Sequence, residues 1–298
     1  MDIFKPILKI VWHFTDIADQ KRIASQTPTA GIHEVCDIDY QGDGRKEHLL
    51  DIYYPEGTAS LLPVIIDIHG GGWMYGYKEI NKNYCLKLAS KGFLVASINY
   101  RLSGEVEFSE QMRDVFAALK FLSQNLSSYP ADVNNTFLVG DSAGGHFACV
   151  SAAVNLNPDL QADFGVKPCG FSFKAVGAIS PAIDLVSFNL MMNANLPSLL
   201  GSHYKKSKFY KYMDYSSIAS SSLPPFFIVT SSGDFIRRQS YKLEEILENH
   251  SVEHKLIDFT DKYKGAKLPH VFSVVDPYSE FAEKAINEMC TFFKSKII

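Results

Sequence analysis

The stretch LVGDSAGGHFA, residues 138–148, places an acid, a hydroxyl and an imidazole within six positions: Asp141, Ser142 and His146. A serine hydroxyl becomes a competent nucleophile beside a general base that a third group orients. Gly140-Asp141-Ser142-Ala143-Gly144 also fits Gly-x-Ser-x-Gly, whose glycines permit a turn too tight for side chains on either side of the serine. A second stretch, His69-Gly70-Gly71-Gly72-Trp73, carries three consecutive glycines. Such a run costs conformational entropy unless the backbone itself has work to do. Its amide N–H groups can face a developing oxyanion, and in acyl transfer one such donor is worth about 3 kcal/mol of barrier. A phosphate cradle is the competing chemistry. The chain has no G-x-x-x-x-G-K-[ST], and no G-x-G-x-x-G with a downstream acid in a βαβ unit.

These stretches need elements to hold them. EVCDIDY and HLLDIYYP flank a turn at Gly42-Asp43-Gly44, which predicts an antiparallel hairpin over about 34–54. Beyond it strands and helices alternate. Strands are expected at 63–70, 93–100, 136–140, 174–180, 225–232 and 253–259, and helices at 80–91, 109–126, 143–155, 237–249 and 277–294. The apolar runs of the middle strands suit a parallel sheet covered by helices on both faces. Both glycine motifs then fall where a strand gives way to a helix. Residues 3–25 also read as a helix, with Ile3, Ile7, Ile10, Val11, Phe14 and Ile17 at helical spacing. Residues 181–223 break the alternation. With Met191, Met192, Leu196, Leu199, Leu200 and several tyrosines, they read either as an adaptable apolar lid or as an extra helical hairpin packed on the domain.

The 298 residues are 46% hydrophobic and carry a net charge of −4, enough apolar matter for a sizeable core and no electrostatic case for nucleic acid. The five cysteines, Cys36, Cys85, Cys149, Cys169 and Cys290, show no CxxC spacing and read as free thiols in a reducing compartment. No apolar run approaches the length of a membrane span. Asp2, Lys5, Pro6 and Lys9 interrupt the N-terminal apolar stretch, so a soluble, cytoplasmic protein is expected. No histidine pair has metal-ligand spacing with an acid between. His250 and His254 are four apart but straddle a turn, and no metal is expected.

HGGGW on one strand end and GDSAGG on another together resemble the α/β-hydrolase fold, and more narrowly the hormone-sensitive-lipase-like carboxylesterases and their bacterial small-ester relatives. LDIYYP, INYRL at 98–102 and RDVFAALKFL at 113–122 add to the resemblance, which runs from about residue 34 to the C-terminus. It implies one α/β-hydrolase domain over 1–298: a mostly parallel sheet of about eight strands, helices on both faces, and a helical cap formed by 1–30 and 181–223. It also implies the order nucleophile, acid, base. The acid falls to Asp234, after the next-to-last strand, and the base to His270, between the last strand and the closing helix. Asp258, inside the last strand, and Asp261, just past it, fit the acid's place less well.

The local alternative is disfavoured on geometry. An elbow serine points out of its helix, so the spacing to His146 does not align the two, and Asp141 projects opposite to its neighbour Ser142. Asp141 is expected to accept a structural hydrogen bond or to pair with Arg101, and His69 to support the glycine loop. The implied chemistry is hydrolysis of short-chain or small acyl esters through an acyl-enzyme. Ser142 is the nucleophile, His270 the base, Asp234 its orienting acid, and the N–H groups of Gly71, Gly72 and Ala143 form the oxyanion hole. His69, Gly70 and Asp141 support them. The partner is a small-molecule ester, and no cofactor is called for. The same fold could instead house a sugar-ester deacetylase, a feruloyl-type esterase, an arylformamidase or a pseudo-hydrolase that only binds.

Overall fold

Apart from Asp67, apolar residues fill β3 (Leu62–Ile68), because that strand is covered on both sides. Val64, Ile66 and Ile68 face one core and Ile65 the other. The structure is a computed structural model that describes residues 4–187, 193–260 and 267–297; Ile3, Met191, Met192 and Asp261 lie outside the described residues.

Around β3 stand β1 (Ile32–Asp39), β2 (Leu49–Pro55), β4 (Leu94–Ile98), β5 (Ala131–Asp141), β6 (Phe173–Ile179), β7 (Phe226–Ser231) and β8 (His254–Phe259). They form one eight-stranded sheet in the order β1-β2-β4-β3-β5-β6-β7-β8. β2 is antiparallel to both its neighbours, and every other pair is parallel. This is the mostly parallel sheet of eight strands that the α/β-hydrolase resemblance implies. The chain leaves β3 toward β4 on one side and leaves β5 toward β6 on the other. That reversal makes the carboxyl ends of β3 and β5 the topological switch point, the place at which open α/β sheets form their ligand-binding crevice. Both glycine motifs sit there.

Two cores sandwich the sheet. On one face, α2 (Lys82–Ser90) contributes Tyr84 and Leu86, and the closing helix (Glu280–Lys294) contributes Ile286, Met289 and Phe293. On the other lie Met112 and Val115 of α3 (Phe108–Asn125), Phe147 and Val150 of α4 (Ala143–Leu156) and Leu243 of the helix Arg237–Asn249. Helix Pro158–Phe164, absent from the sequence reading, starts at an Asn157 cap with Pro158 in its first turn and ends at left-handed Gly165.

The helix expected at the N-terminus is α1 (Phe4–Ser25). Ile10, Val11, Phe14 and Ile17 are exposed, Phe14 by 65%. The side turned to the domain is polar and aromatic. Trp12 stacks on Tyr75 with ring centres 5.3 Å apart, Asp19 accepts from Tyr75 Oη at 3.0 Å, and Asp16 accepts from Tyr77 Oη at 2.9 Å. Residues 193–223 are short helical turns packed into the core through Leu196, Leu199, Met213 and Tyr215.

Phe293 stacks on Phe137 of β5 at 4.4 Å and fastens the closing helix to the strand that carries the serine. Truncating Phe293→Ala should lower the unfolding free energy by about 3–5 kcal/mol, read from urea titrations.

Candidate active site

Ser142 sits between β5 and α4 at φ 52, ψ −113, a conformation an L-residue adopts only when its surroundings impose it. Here the Ser142 N–H bonds the Ile179 carbonyl at 2.9 Å, and its carbonyl accepts from Ala182 and His146, each at 3.1 Å. Neighbouring β6 and the first turn of α4 therefore over-determine the strained turn. A Cβ on Gly144 would lie 1.9 Å from the Ile68 carbonyl oxygen, so only glycine lets α4 approach β3 this closely.

The chain carries the other groups to the same crevice from strands farther along the sheet. His270 Nε2 lies 2.9 Å from Ser142 Oγ, and His270 Nδ1 lies 2.7 Å from Asp234 Oδ1. Asp234 follows β7, and Thr230 Oγ1 and the Ile236 N–H donate to its carboxylate at 2.9 Å each. Burial pushes this carboxyl up, but His270 and the Ile236 N–H outweigh it and hold Asp234 below the usual carboxylate range. A bridge between Gly233 and Pro269, with Ser231 Oγ donating to the Leu268 carbonyl at 2.8 Å, ties the acid's loop to the histidine's. Phe235, exposed, lies 4.5 Å from the His270 ring.

The glycine loop folds beside them. Gly71 has φ +116, and a Cβ there would meet the Tyr75 carbonyl at 2.0 Å. Gly70 donates its N–H to Asp141 Oδ1 at 2.9 Å, whereas the N–H groups of Gly71, Gly72 and Ala143 meet no acceptor among the described residues. Backbone donors without partners at the N-terminus of α4 and in the adjoining loop are what a developing oxyanion requires. His69 supports the loop through Nδ1 and the Gly70 carbonyl, 2.8 Å apart, and through a ring stack on Tyr100 at 4.4 Å.

The structure keeps the other candidates away. His146 is fully buried, stacks on Phe108 and accepts from Trp73 Nε1 at 3.3 Å. Asp141 takes the structural hydrogen-bond option. Its carboxylate accepts from Gly70 and from Asn81 Nδ2 at 2.9 Å, and Arg101 pairs with Asp114 at 2.7 Å instead. Asp258 is held by Arg237, whose Nε donates at 3.0 Å, on the far edge of the sheet. His250 and His254 each bond a backbone carbonyl. Among the described residues no three His, Cys, Asp or Glu side chains converge as metal ligands. Cys36 is exposed and the other four thiols are buried, all free.

Three residues at the site escaped the sequence reading: Trp12, Asn81 and Asp67. Trp12 lies on the glycine loop, its ring 2.7 Å from where a Gly72 Cβ would stand. Asp67 had a visible signal, a carboxylate inside a buried strand; Asn81 had none.

A model of the BD-FAE family matches residues 50–247. The chain belongs to the BD-FAE family. Esterase B of Lactobacillus rhamnosis superposes with a TM-score of 0.91 at 28% identity, covering 98% of this chain and 96% of that one. Esterase LipQ of Mycobacterium tuberculosis is 27% identical over 78% of this chain and 59% of its own length. The isoprenylcysteine alpha-carbonyl methylesterase of Arabidopsis thaliana is 30% identical over 114 residues, which are 38% of this chain and 27% of that protein. The chain thus spans between about a quarter and three fifths of these two curated relatives. All three of these relatives are named as esterases, and the eight-stranded, mostly parallel sheet of this chain is that of the α/β-hydrolase esterases it superposes on. No described helix is long and apolar enough to cross a membrane.

Burial holds two imidazoles neutral, pushing His69 down to about 4 and His146 down to about 3. Both folded values lie below that of an unfolded histidine, so both contribute stability that is present above about pH 6.5 and lost as the pH falls toward 4 and 3. Urea unfolding at pH 7 and pH 4.5 should therefore show a smaller acid loss for His146→Gln than for the unaltered protein.

Proposed function

We propose that the chain is a serine esterase that hydrolyses short-chain or small acyl esters, in the manner of the hormone-sensitive-lipase-like carboxylesterases its motifs resemble. The observation that carries this reading is the continuous contact from Asp234 through His270 to Ser142, at 2.7 and 2.9 Å, beside three unpartnered backbone donors.

In this reading Ser142 Oγ attacks the ester carbonyl carbon as its proton passes to His270 Nε2. Asp234 fixes the tautomer through Nδ1 and stabilises the imidazolium. The carbonyl oxygen, now an anion, takes the N–H groups of Gly71, Gly72 and Ala143. Collapse of the tetrahedral centre breaks the bond to the alcohol oxygen, which receives the proton from His270. Water then attacks the acyl-Ser142 ester with His270 again as base, releasing the carboxylic acid and restoring the serine. No step draws on a cofactor.

The partial cap is part of the proposal. α1 lays Trp12 against the glycine loop, so the ring forms a wall of the substrate site and limits the acyl or alcohol group beside it.

Ser142→Ala should abolish hydrolysis of p-nitrophenyl acetate and butyrate while circular dichroism stays unchanged; retained turnover would exclude the reading. Asp234→Asn should lower kcat by about 10⁴-fold, whereas Asp258→Asn should leave it near the unaltered rate. Trp12→Ala should shift the ratio of kcat/KM between hexanoate and acetate esters on the order of tenfold, and an unchanged ratio would remove Trp12 from the substrate wall.

A further inference from the structure

Below the glycine loop lies a polar cluster that the acyl-transfer steps do not use. Asp67 is fully buried on β3, and Asp141 is nearly so at the end of neighbouring β5. Asn81 closes the turn Lys78–Asn81 that follows the glycine loop. One side-chain nitrogen, Asn81 Nδ2, donates to Asp141 Oδ1 at 2.9 Å and to Asp67 Oδ2 at 3.1 Å. The same Asp141 oxygen takes the Gly70 N–H, and Ser97 Oγ donates to Asp67 Oδ2 at 3.2 Å. An unbroken chain of hydrogen bonds thus runs from the loop that carries Gly71 and Gly72, through the residue preceding Ser142, to the interior of β3.

Every hydrogen-bond donor in this chain is neutral. Two buried carboxylates joined by one amide, with no cation paired to either among the described residues, repel each other when both are ionised. Burial, and then the charge of Asp141, push Asp67 up to about 7. Burial also raises Asp141, against which Asn81, the charge of His270 and the Gly70 N–H all pull. The other titratable groups facing the cluster are Cys85 and Tyr84 of α2 and Tyr100 after β4. Burial raises all three well above their usual values, so they stay neutral through the working range.

We propose that Asp67 and Asn81 are positioning residues for the Ser142 site. The Asn81 amide holds the Asp141 carboxylate against the Gly70 N–H, and a proton kept on Asp67 leaves Asp141 as the only charge in the cluster. This proposal rests on the serine-esterase reading. Its consequence is that loss of the Asp67 proton puts a second buried anion beneath the place where the ester oxygen becomes negative, and sets both carboxylates competing for one amide. Turnover then falls as the pH rises past Asp67.

The test is kcat and KM for p-nitrophenyl acetate between pH 5.5 and 9, with Asp67→Asn and Asn81→Ala beside the unaltered protein. Asp67→Asn keeps the shape and removes the titration. Its kcat should stay level above pH 7, where that of the unaltered protein falls about threefold or more, with KM little changed in both. Asn81→Ala should lose kcat by about 10–100-fold at every pH with KM again little changed, the signature of a displaced site. Thermal unfolding supplies an independent readout. A carboxyl whose folded value is raised costs the native state stability as the pH climbs from the unfolded value toward 7 and above. Asp67→Asn should therefore raise Tm by several degrees at pH 8, with a smaller rise at pH 4.5. A fall above pH 7 that persists in Asp67→Asn, or is absent from the unaltered protein, overturns the shared-proton role. An Asn81→Ala kcat within twofold of normal overturns the positioning role, and if that variant does not fold, the Asp67→Asn profiles decide alone. Failure of the underlying reading has a different mark: Ser142→Ala would keep its turnover, and a fluorophosphonate probe would leave Ser142 unlabelled.

Discussion

The carbonyl oxygen of Ile68 stands 1.9 Å from the point where a side chain on Gly144 would begin. The rest of the site depends on that close approach. Because α4 can press its first turn against the end of β3, the unpartnered amide of Ala143 is brought to the strand end from which the glycine loop, with Gly71 and Gly72, departs. Ser142 takes its positive φ in this turn, and the bonds to Ile179 and Ala182 hold it there. A bulkier residue at 144 would push the helix away from the strand and separate Ser142 from the glycine loop in one step. The Gly-x-Ser-x-Gly spacing is therefore a packing requirement before it is a chemical one.

Burial sorts the histidines by task. His69 and His146 lie wholly inside the protein, where desolvation keeps them neutral, and each meets the structure through ring stacking and one hydrogen bond. His270 alone joins a carboxylate on one side and a serine hydroxyl on the other, with 17% of its side chain open to solvent. In the proposed esterase reading that carboxylate orients the imidazole toward Ser142. His146, one turn from the serine in sequence, sits where an imidazolium would find no counter-charge, and its nitrogen instead satisfies the Trp73 indole.

Much of this arrangement was legible in the sequence because it is written in local rules. Alternating apolar runs mark the strands, and the helix boundaries fall within a few residues of their periodic patterns. The two glycine motifs mark the crevice. The order of nucleophile, acid and base comes from the resemblance, and the structure brings Asp234 and His270 to Ser142 from 92 and 128 positions along the chain. What stayed hidden depends on contacts between distant segments. Asn81 looks like any polar residue in KEINKN until the turn delivers its amide between two strand ends. Arg101 prefers Asp114 because its guanidinium can hold that carboxylate through two nitrogens at 2.7 Å each, a geometry invisible in one dimension.

The N-terminal helix shows the same limit from the other direction. Apolar spacing identifies an amphipathic helix, but it does not say which face the domain will claim. In α1 the domain takes the polar-aromatic side, because the surface it meets is already furnished with Tyr75 and Tyr77, whose hydroxyls need acceptors. Asp16 and Asp19 supply them one turn apart, and Arg22 adds bonds to the carbonyls of Ile80 and Val275. Helix position is thus decided by polar groups that would otherwise stay unsatisfied, and dispersion contacts follow with the Trp12 stack. The arrangement lays an aromatic ring on the glycine loop while leaving Ile10, Val11 and Phe14 facing outward. A helix fixed by a few hydrogen bonds at one end of the sheet is joined to the fold less firmly than one buried by its apolar stripe. Those bonds run through Asp16, Asp19 and Arg22, none of which belongs to either core.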